Sequence, residues 1–244
     1  MLQAIDLVGT LRIEKSAEEI QAISKACALG DAAFLAIRSQ LQNGISEKKV
    51  SEELEIFIKR HGATISFPPV IAFGENASKP HHVATARKLK PHDVILLDFG
   101  IKIDSYCSDM TRTLINDAPT AEQTFAYEIV LASQQKAITF IKEQLSKKQK
   151  IIAKQVDAIA RNFIIAKEYP NMPHSLGHGI GLLVHEPPRL TLLSQEELAN
   201  CMVFSLEPGI YLPGKFGIRI EDLFAIQNNS LIQLTKAASE LMTI

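Results

Sequence analysis

Between positions 98 and 113 the chain reads DFGIKIDSYCSDMTRT and holds two carboxylates, Asp98 and Asp109. The apolar run Val94-Ile95-Leu96-Leu97 leads into it, and Ile101-Lys102-Ile103-Asp104 reads as a hairpin turn flanked by β-branched residues. With the turn centred between Ile103 and Asp104, Asp98 is expected opposite Asp109. Facing residues of an antiparallel pair point to one side of the sheet, so the two charges repel unless a cation lies between them. Taken singly, Asp109 reads as a solvated strand residue and Asp98 as a strand-end cap. A second stretch argues against that. Residues 202–222, MVFSLEPGIYLPGKFGIRIED, place Glu207 after an apolar run, then a turn at Pro213-Gly214-Lys215-Phe216-Gly217, then a return strand with Glu221. Centred on Gly214, this turn sets Glu207 opposite Glu221. Two hairpins of one design imply one shared site.

Residues 173–188, PHSLGHGIGLLVHEPP, carry three of the seven histidines, His174, His178 and His185. A lone histidine is ordinarily a hydrogen-bonded core residue. Here Gly177, Gly179 and Gly181 surround the middle one, and glycines let backbone approach a crowded site closely. A phosphate-cradling loop would need a helix directly after the glycines, and none is expected. HExxH is absent. Asp98-Phe99-Gly100 spells the metal-binding tripeptide of kinases, but no HRD motif or glycine-rich loop with a partner lysine accompanies it.

Four carboxylates and an imidazole make a hard, oxygen-rich ligand set. Two divalent cations would balance the four charges and leave a bridging hydroxide as nucleophile. Such a set favours Mn²⁺, and Co²⁺, Zn²⁺ and Fe²⁺ also fit. The residues themselves thus point to a dinuclear-metal hydrolase, with its substrate unspecified.

The elements that must position these groups recur in order. Ser16-Ala17-Glu18-Glu19 is a capping box opening a helix whose buried face is Ile20, Ile23, Cys27, Gly30, Phe34, Ile37 and Leu41, with Asn43-Gly44 as its end. A second helix is expected from about Ser46 to His61, with Val50, Leu54, Phe57 and Ile58 inward and Gly62 as its stop. Strands follow over 65–73, 94–101 and 106–115. Thr120 then starts a long helix with Phe125, Ile129, Phe140 and Leu145 on its apolar side. Another spans about Ile151 to Lys167, with Ile152, Val156, Ile159 and Phe163 inward, and Pro170 and Pro173 break the chain after it. Ser16 to Thr120 is an offset of 104, Asp98 to Glu207 of 109, and Asp109 to Glu221 of 112. Such near-constant offsets predict two similar halves, helix-helix-hairpin twice, whose sheets pack face to face with helices outside. No linker or low-complexity stretch is visible, so one domain is expected.

The 244 residues are 46% hydrophobic and 22% charged, ordinary for a soluble globular protein. A net charge of −1 argues against a nucleic-acid or membrane-surface partner chosen by bulk charge. Cys27, Cys107 and Cys201, odd in number and far apart, fit a reducing compartment better than a disulfide framework. The start, MLQAIDLVGT, lacks a basic region and carries Asp6, unlike a signal peptide, and no apolar run is long enough to span a bilayer. A cytoplasmic protein is expected.

The ordered set Asp98, Asp109, His178, Glu207 and Glu221 resembles the metal ligands of the pita-bread metallopeptidases, which include aminopeptidase P, prolidase and methionine aminopeptidase. The resemblance covers nearly the whole chain from about Arg12 onward, with all five ligand positions filled. It implies an α+β pita-bread fold, two pseudo-symmetric halves with antiparallel sheet inside and helices outside. The implied organisation is a single catalytic domain over 1–244, with residues 1–15 as a lead-in. By the resemblance Asp109 and Glu221 bridge two metals, Asp98 holds one, and His178 and Glu207 hold the other. Glu207 also moves the proton between the attacking water and the leaving nitrogen. His81, in Asn76-Ala77-Ser78-Lys79-Pro80-His81, and His185 match the family's substrate histidines, which steady the tetrahedral intermediate. His174 and Arg219 look like residues that orient the ligands. His82 is set aside, because strand alternation would turn it away.

EPGIY at Glu207, GIRIED ending at Asp222 and the 14 residues between Glu207 and Glu221 look like the proline-specific branch. The implied reaction is hydrolysis of an Xaa-Pro bond in a peptide with proline second. That branch usually carries a further N-terminal domain that closes the site and forms the dimer. Here it is expected to be absent, and a homodimer stays open. The alternatives are a methionine aminopeptidase and a non-catalytic binding module of the same fold. A creatinase-like metal-free hydrolase is disfavoured by the intact carboxylates.

Overall fold

The computed structural model describes residues 7–244; residues 1–6, part of the stretch read above as unlike a signal peptide, lie outside them. Helix α1 (Leu7–Ile13) leads into α2 (Ala17–Arg38), and α3 (Glu47–Arg60) follows. The Ser16 capping box is formed, with Ser16 N donating to Glu19 Oε2 at 2.7 Å. Helix α2 stops at Arg38, earlier than Asn43-Gly44, yet the predicted face from Ile20 to Leu41 is buried throughout.

Strands β1 (Thr64–Ile65) and β2 (Val70–Phe73) take the place of the single strand expected there; Pro68 and Pro69 lie between them. Then come β3 (Val94–Phe99), β4 (Ile101–Ile103), β5 (Tyr106–Cys107) and β6 (Met110–Ile115). The second half opens with α4 (Ala121–Ser146), capped by Thr120 and Gln123, then β7 (Ile151–Ile152) and α5 (Ala153–Ala166). After it run β8 (Gly177–Gly179), β9 (Glu186–Leu190), β10 (Glu197–Leu198) and β11 (Val203–Leu206). The chain closes with β12 (Gly209–Leu212), β13 (Phe216–Arg219), β14 (Asp222–Gln227), β15 (Ser230–Gln233) and β16 (Met242–Thr243).

The repeat shows in the sheets. In the first half β2, β3 and β6 lie side by side and antiparallel; in the second, β8, β11 and β14 do the same. Each central pair continues into a hairpin, β4–β5 or β12–β13. The two sheets are not stacked face to face, as expected above. They meet edge to edge, where Thr111 of β6 bridges Glu221 and Glu221 N donates to Thr111 O at 3.1 Å. Long-range backbone hydrogen bonding of this kind satisfies edge groups that stacking would leave open.

One hydrophobic cluster joins α4 and α5 to both sheets through Val94, Leu96, Phe204 and Phe224. A second packs α2 and α3 on Ile71, Ile95 and Leu97, and a third sets Ile20, Ile23 and Cys27 of α2 on Val203 and Leu223. Helix α2, at 22 residues, is long and apolar enough to cross a membrane, contrary to the reading above; its buried stripe against these strands makes it a core helix. On α4 the expected residues Ile129, Phe140 and Leu145 do pack on the core, and Phe125 does not. Phe125 is 51% exposed, and the buried set runs through Ala126, Ile129, Val130, Ala137 and Ile141.

Candidate metal centre

The first hairpin turns on Asp104 and Ser105, both with positive φ, so its centre lies one residue later than expected. Asp98 therefore faces Thr111, not Asp109. Moving the centre by one residue changes the register by two and keeps side chains on their face. Asp109 becomes the diagonal neighbour of Asp98 on that face, still within reach of a shared ion. The second hairpin matches its expected register: Leu206 faces Asp222 and Gly209 faces Arg219, which sets Glu207 against Glu221.

All the residues singled out in the sequence line one cavity of about 510 Å³: Asp98, Asp109, His178, Glu207 and Glu221, with His81, His174, His185 and Arg219. Single ligand atoms of Asp109, His178 and Glu221 lie within 4.8 Å of one another. His178 Nε2 stands 3.6 Å from Asp109 Oδ2 and 3.5 Å from Glu207 Oε1. Its Nδ1–H donates to Gly179 O at 3.0 Å, which fixes the tautomer and leaves the Nε2 lone pair facing the carboxylates. The flanking glycines are required by crowding, since a Cβ at Gly177 would run into Ser205 O and one at Gly179 into Pro187 O.

Asp98, Asp109 and Glu221 are buried and Glu207 is half-buried. Burial, then Glu221, holds the Asp109 and Glu207 carboxyls well above the usual range; burial, then Asp98, pushes Glu221 up to about 8. Burial lowers His178 and His174 to about 4, so both rings are neutral. Arg219 is ion-paired with Asp98, and even there burial outweighs it and Asp98 is raised. Among the described residues, Asp109 Oδ1 and Glu221 Oε1 are buried without a hydrogen-bond partner. Neutral imidazole, clustered carboxylates and two orphaned oxygens fit divalent cations.

Several supporting residues were not read from the sequence. Thr111 Oγ1 donates to Glu221 Oε2 at 2.7 Å and accepts from Arg219 Nε at 3.1 Å. Tyr211 OH accepts from Arg219 Nη1 at 2.6 Å and donates to His174 Nε2 at 2.8 Å. The signal for Thr111 was its parity with Asp109; Tyr211 lay unread within EPGIY. His82, set aside above, also lines this cavity, because the segment that carries it is irregular and strand alternation does not apply there. Its Nε2 meets Glu47 Oε2 at 2.9 Å. Phe67, Pro68, Pro80 and Val184 give the cavity an apolar wall.

The profile of metallopeptidase family M24 matches residues 21–228. An Xaa-Pro dipeptidase of Pyrococcus horikoshii is 39% identical over 239 residues, 97% of this chain and 66% of that protein. Prolidase from Thermococcus sibiricus superposes with a TM-score of 0.91 at 39% identity, covering 98% of this chain and 64% of its own. X-Pro aminopeptidase from Thermotoga maritima gives 0.92 at 34%, covering 99% and 67%. The chain thus spans about two thirds of the length of these relatives. The fold they share with it is α+β, of pita-bread type.

Proposed function

Since the chain belongs to metallopeptidase family M24, we propose that it hydrolyses Xaa-Pro peptide bonds, in peptides with proline at the second position. The observation that carries this reading is the convergence of Asp98, Asp109, His178, Glu207 and Glu221 on one cavity, with two buried carboxylate oxygens that have no hydrogen-bond partner among the described residues. Residues 1–244 act as one catalytic unit in this reading. Asp109 and Glu221 would be shared by two divalent cations, Asp98 serving one and His178 with Glu207 the other. Mn²⁺ suits the oxygen-rich set first, with Co²⁺, Zn²⁺ and Fe²⁺ as alternatives. When bound, the cations supply Lewis-acid polarisation of the scissile carbonyl and a nucleophilic water at neutral pH.

The chain's own groups do the rest. Glu207 has 16% of its side chain open to solvent, against 6% for Asp109, which suits it to pass a proton between water and the leaving nitrogen. His81 and His185, on the cavity wall, would donate to the oxygen that gains charge as the carbonyl becomes tetrahedral. Arg219 and Tyr211 hold Asp98 and His174 in place, and Thr111 holds Glu221. Phe67, Pro68, Pro80 and Val184 form a rigid apolar wall suited to a pyrrolidine ring. The unpaired cysteines support a reducing compartment such as the cytoplasm.

The test is turnover by the Mn²⁺-loaded protein of Gly-Pro, Arg-Pro-Pro and Met-Ala-Ser. Cleavage of Gly-Pro alone assigns a dipeptidase, and cleavage of Arg-Pro-Pro an aminopeptidase P. Methionine release without cleavage before proline would replace this reading with a methionine aminopeptidase. Metal uptake without any turnover would favour the binding module.

A further inference from the structure

The register of the second hairpin is the same on both sides of its middle, so Pro208 faces Ile220 just as Glu207 faces Glu221. The ladder itself is broken there. Ile220 N donates to Pro208 O at 3.3 Å, one half of a hydrogen-bonded pair. The reciprocal bond cannot form, because proline has no N–H. The carbonyl of Ile220 is thus left without its cross-strand donor, one residue before a carboxylate of the site.

Helix α4 supplies the missing donor. Gln134, 1% exposed, directs Nε2 to Ile220 O at 3.4 Å, to Leu206 O at 3.0 Å and to Asp222 Oδ2 at 3.1 Å. Leu206 and Ile220 immediately precede Glu207 and Glu221, so one amide ties the backbone at both. Three acceptors around one nitrogen leave no doubt about which way the amide faces. The consequence is that Gln134 Oε1 is buried without a donor among the described residues. A side chain chosen only to fill space would be apolar here, and an orphaned acceptor calls for a reason. The network continues below. Asp222 Oδ1 accepts from Arg112 Nη2 at 2.6 Å and Thr235 Oγ1 at 2.7 Å, while Arg112 Nη1 donates to Glu221 O at 2.6 Å.

We infer that Gln134 is a positioning residue of the metal centre: it stands in for the absent N–H of Pro208 and holds the broken strand pair at the spacing at which Glu207 and Glu221 ligate together. The inference rests on the reading of those two residues as ligands. Gln134 acts through two carbonyls and does not touch the ion.

The experiment is calorimetric titration of Mn²⁺ into the metal-free protein. Gln134→Met keeps the length of the side chain and removes its donors; Mn²⁺ affinity is expected to fall about tenfold or more. Ser133→Ala, which removes the neighbouring buried hydroxyl bonded to Ala160 O, is the control expected to leave affinity unchanged. Adding Pro208→Ala to Gln134→Met returns an N–H opposite Ile220 and is expected to recover most of the loss, a coupling that generic destabilisation would not produce. Wild-type affinity in Gln134→Met, or a loss that Pro208→Ala leaves untouched, overturns the inference. Should Gln134→Met alone not fold, the double variant decides: folded and binding Mn²⁺ supports it, unfolded overturns it. A wild-type protein that takes up no Mn²⁺ sinks the metal reading itself, and this inference with it.

Discussion

Thr111 and Glu221, 110 residues apart, are joined twice: by a backbone bridge, and by the Thr111 hydroxyl, which donates to Glu221 Oε2 at 2.7 Å. This contact helps join the two sheets and aims a carboxylate whose other oxygen has no hydrogen-bond partner among the described residues. Thr111→Val keeps the shape and removes the hydroxyl. Mn²⁺ affinity should fall by roughly 10–100-fold, the usual cost of losing a group that orients a ligand. Thr111→Ser should keep most of it. Calorimetric titration of the two variants checks this.

Metal content distinguishes shared from single ligands. Asp109→Ala and Glu221→Ala should abolish activity and disturb both cations, while Asp98→Ala should mainly empty one. Elemental analysis of the purified variants decides. Equal content in all three would contradict the shared role of Asp109 and Glu221.

Arg219 is buried, as is the Asp98 it neutralises. Arg219→Gln strips Asp98 of its counter-charge, which should destabilise the metal-free protein by about 3–5 kcal/mol. Mn²⁺ should reduce that loss, because a cation replaces the lost charge. Urea denaturation with and without Mn²⁺ measures both. An identical loss in the two conditions would mean that no cation reaches Asp98.

Without metal, stability should fall as pH rises from 6.5 to 8. Folded Glu221 keeps its proton until about pH 8, and Asp109 and Glu207 keep theirs well above the ordinary range, whereas the unfolded chain has lost all three. The folded state therefore binds more protons, and its stability drops with rising pH. His174 and His178, lowered to about 4, act in the opposite direction but only below their ordinary value of 6.5. Saturating Mn²⁺ should flatten the slope by favouring the ionised acids. Thermal unfolding across this range is the check, and a Tm that climbs with pH in the metal-free protein would refute it.

Glu47, fully buried at the start of α3, accepts from Phe73 N, Asn76 Nδ2, His82 Nε2, Thr85 N and Thr85 Oγ1, all within 3.0 Å. It anchors the segment that presents His81. Glu47→Ala leaves these donors unpaired and should cost about 3–5 kcal/mol. Hydrogen exchange over residues 73–85 should rise well before that of the β3–β6 pair. Uniform exchange across both regions would show that Glu47 supports the fold as a whole.

Much of this protein was legible because its signals are local. Ser16 with Glu19 and Thr120 with Gln123 close their own capping boxes, so both long helices announce their starts. Gly214, at φ +75, fixes the second turn, and the register of Glu207 and Glu221 follows from it. The first turn was harder, since Asp104 and Ser105 adopt positive φ without a glycine to signal it. Asp98 and Asp109 still share a face, because a two-residue change of register preserves the face of a strand.

The sequence by itself determined the chemistry: which acids and imidazoles exist, on which strand faces they lie, and that two halves repeat. Strand parity, caps and glycines are properties of short stretches, readable without knowing what lies across the fold. Only the tertiary structure decided how the halves join. Edge-to-edge union through Thr111, the Arg219–Asp98 pair, and the Gln134 bond to Ile220 that fills in for Pro208 each link residues more than 80 positions apart. No local pattern encodes such a partner, because the choice is made by buried polar groups finding each other once the chain is compact.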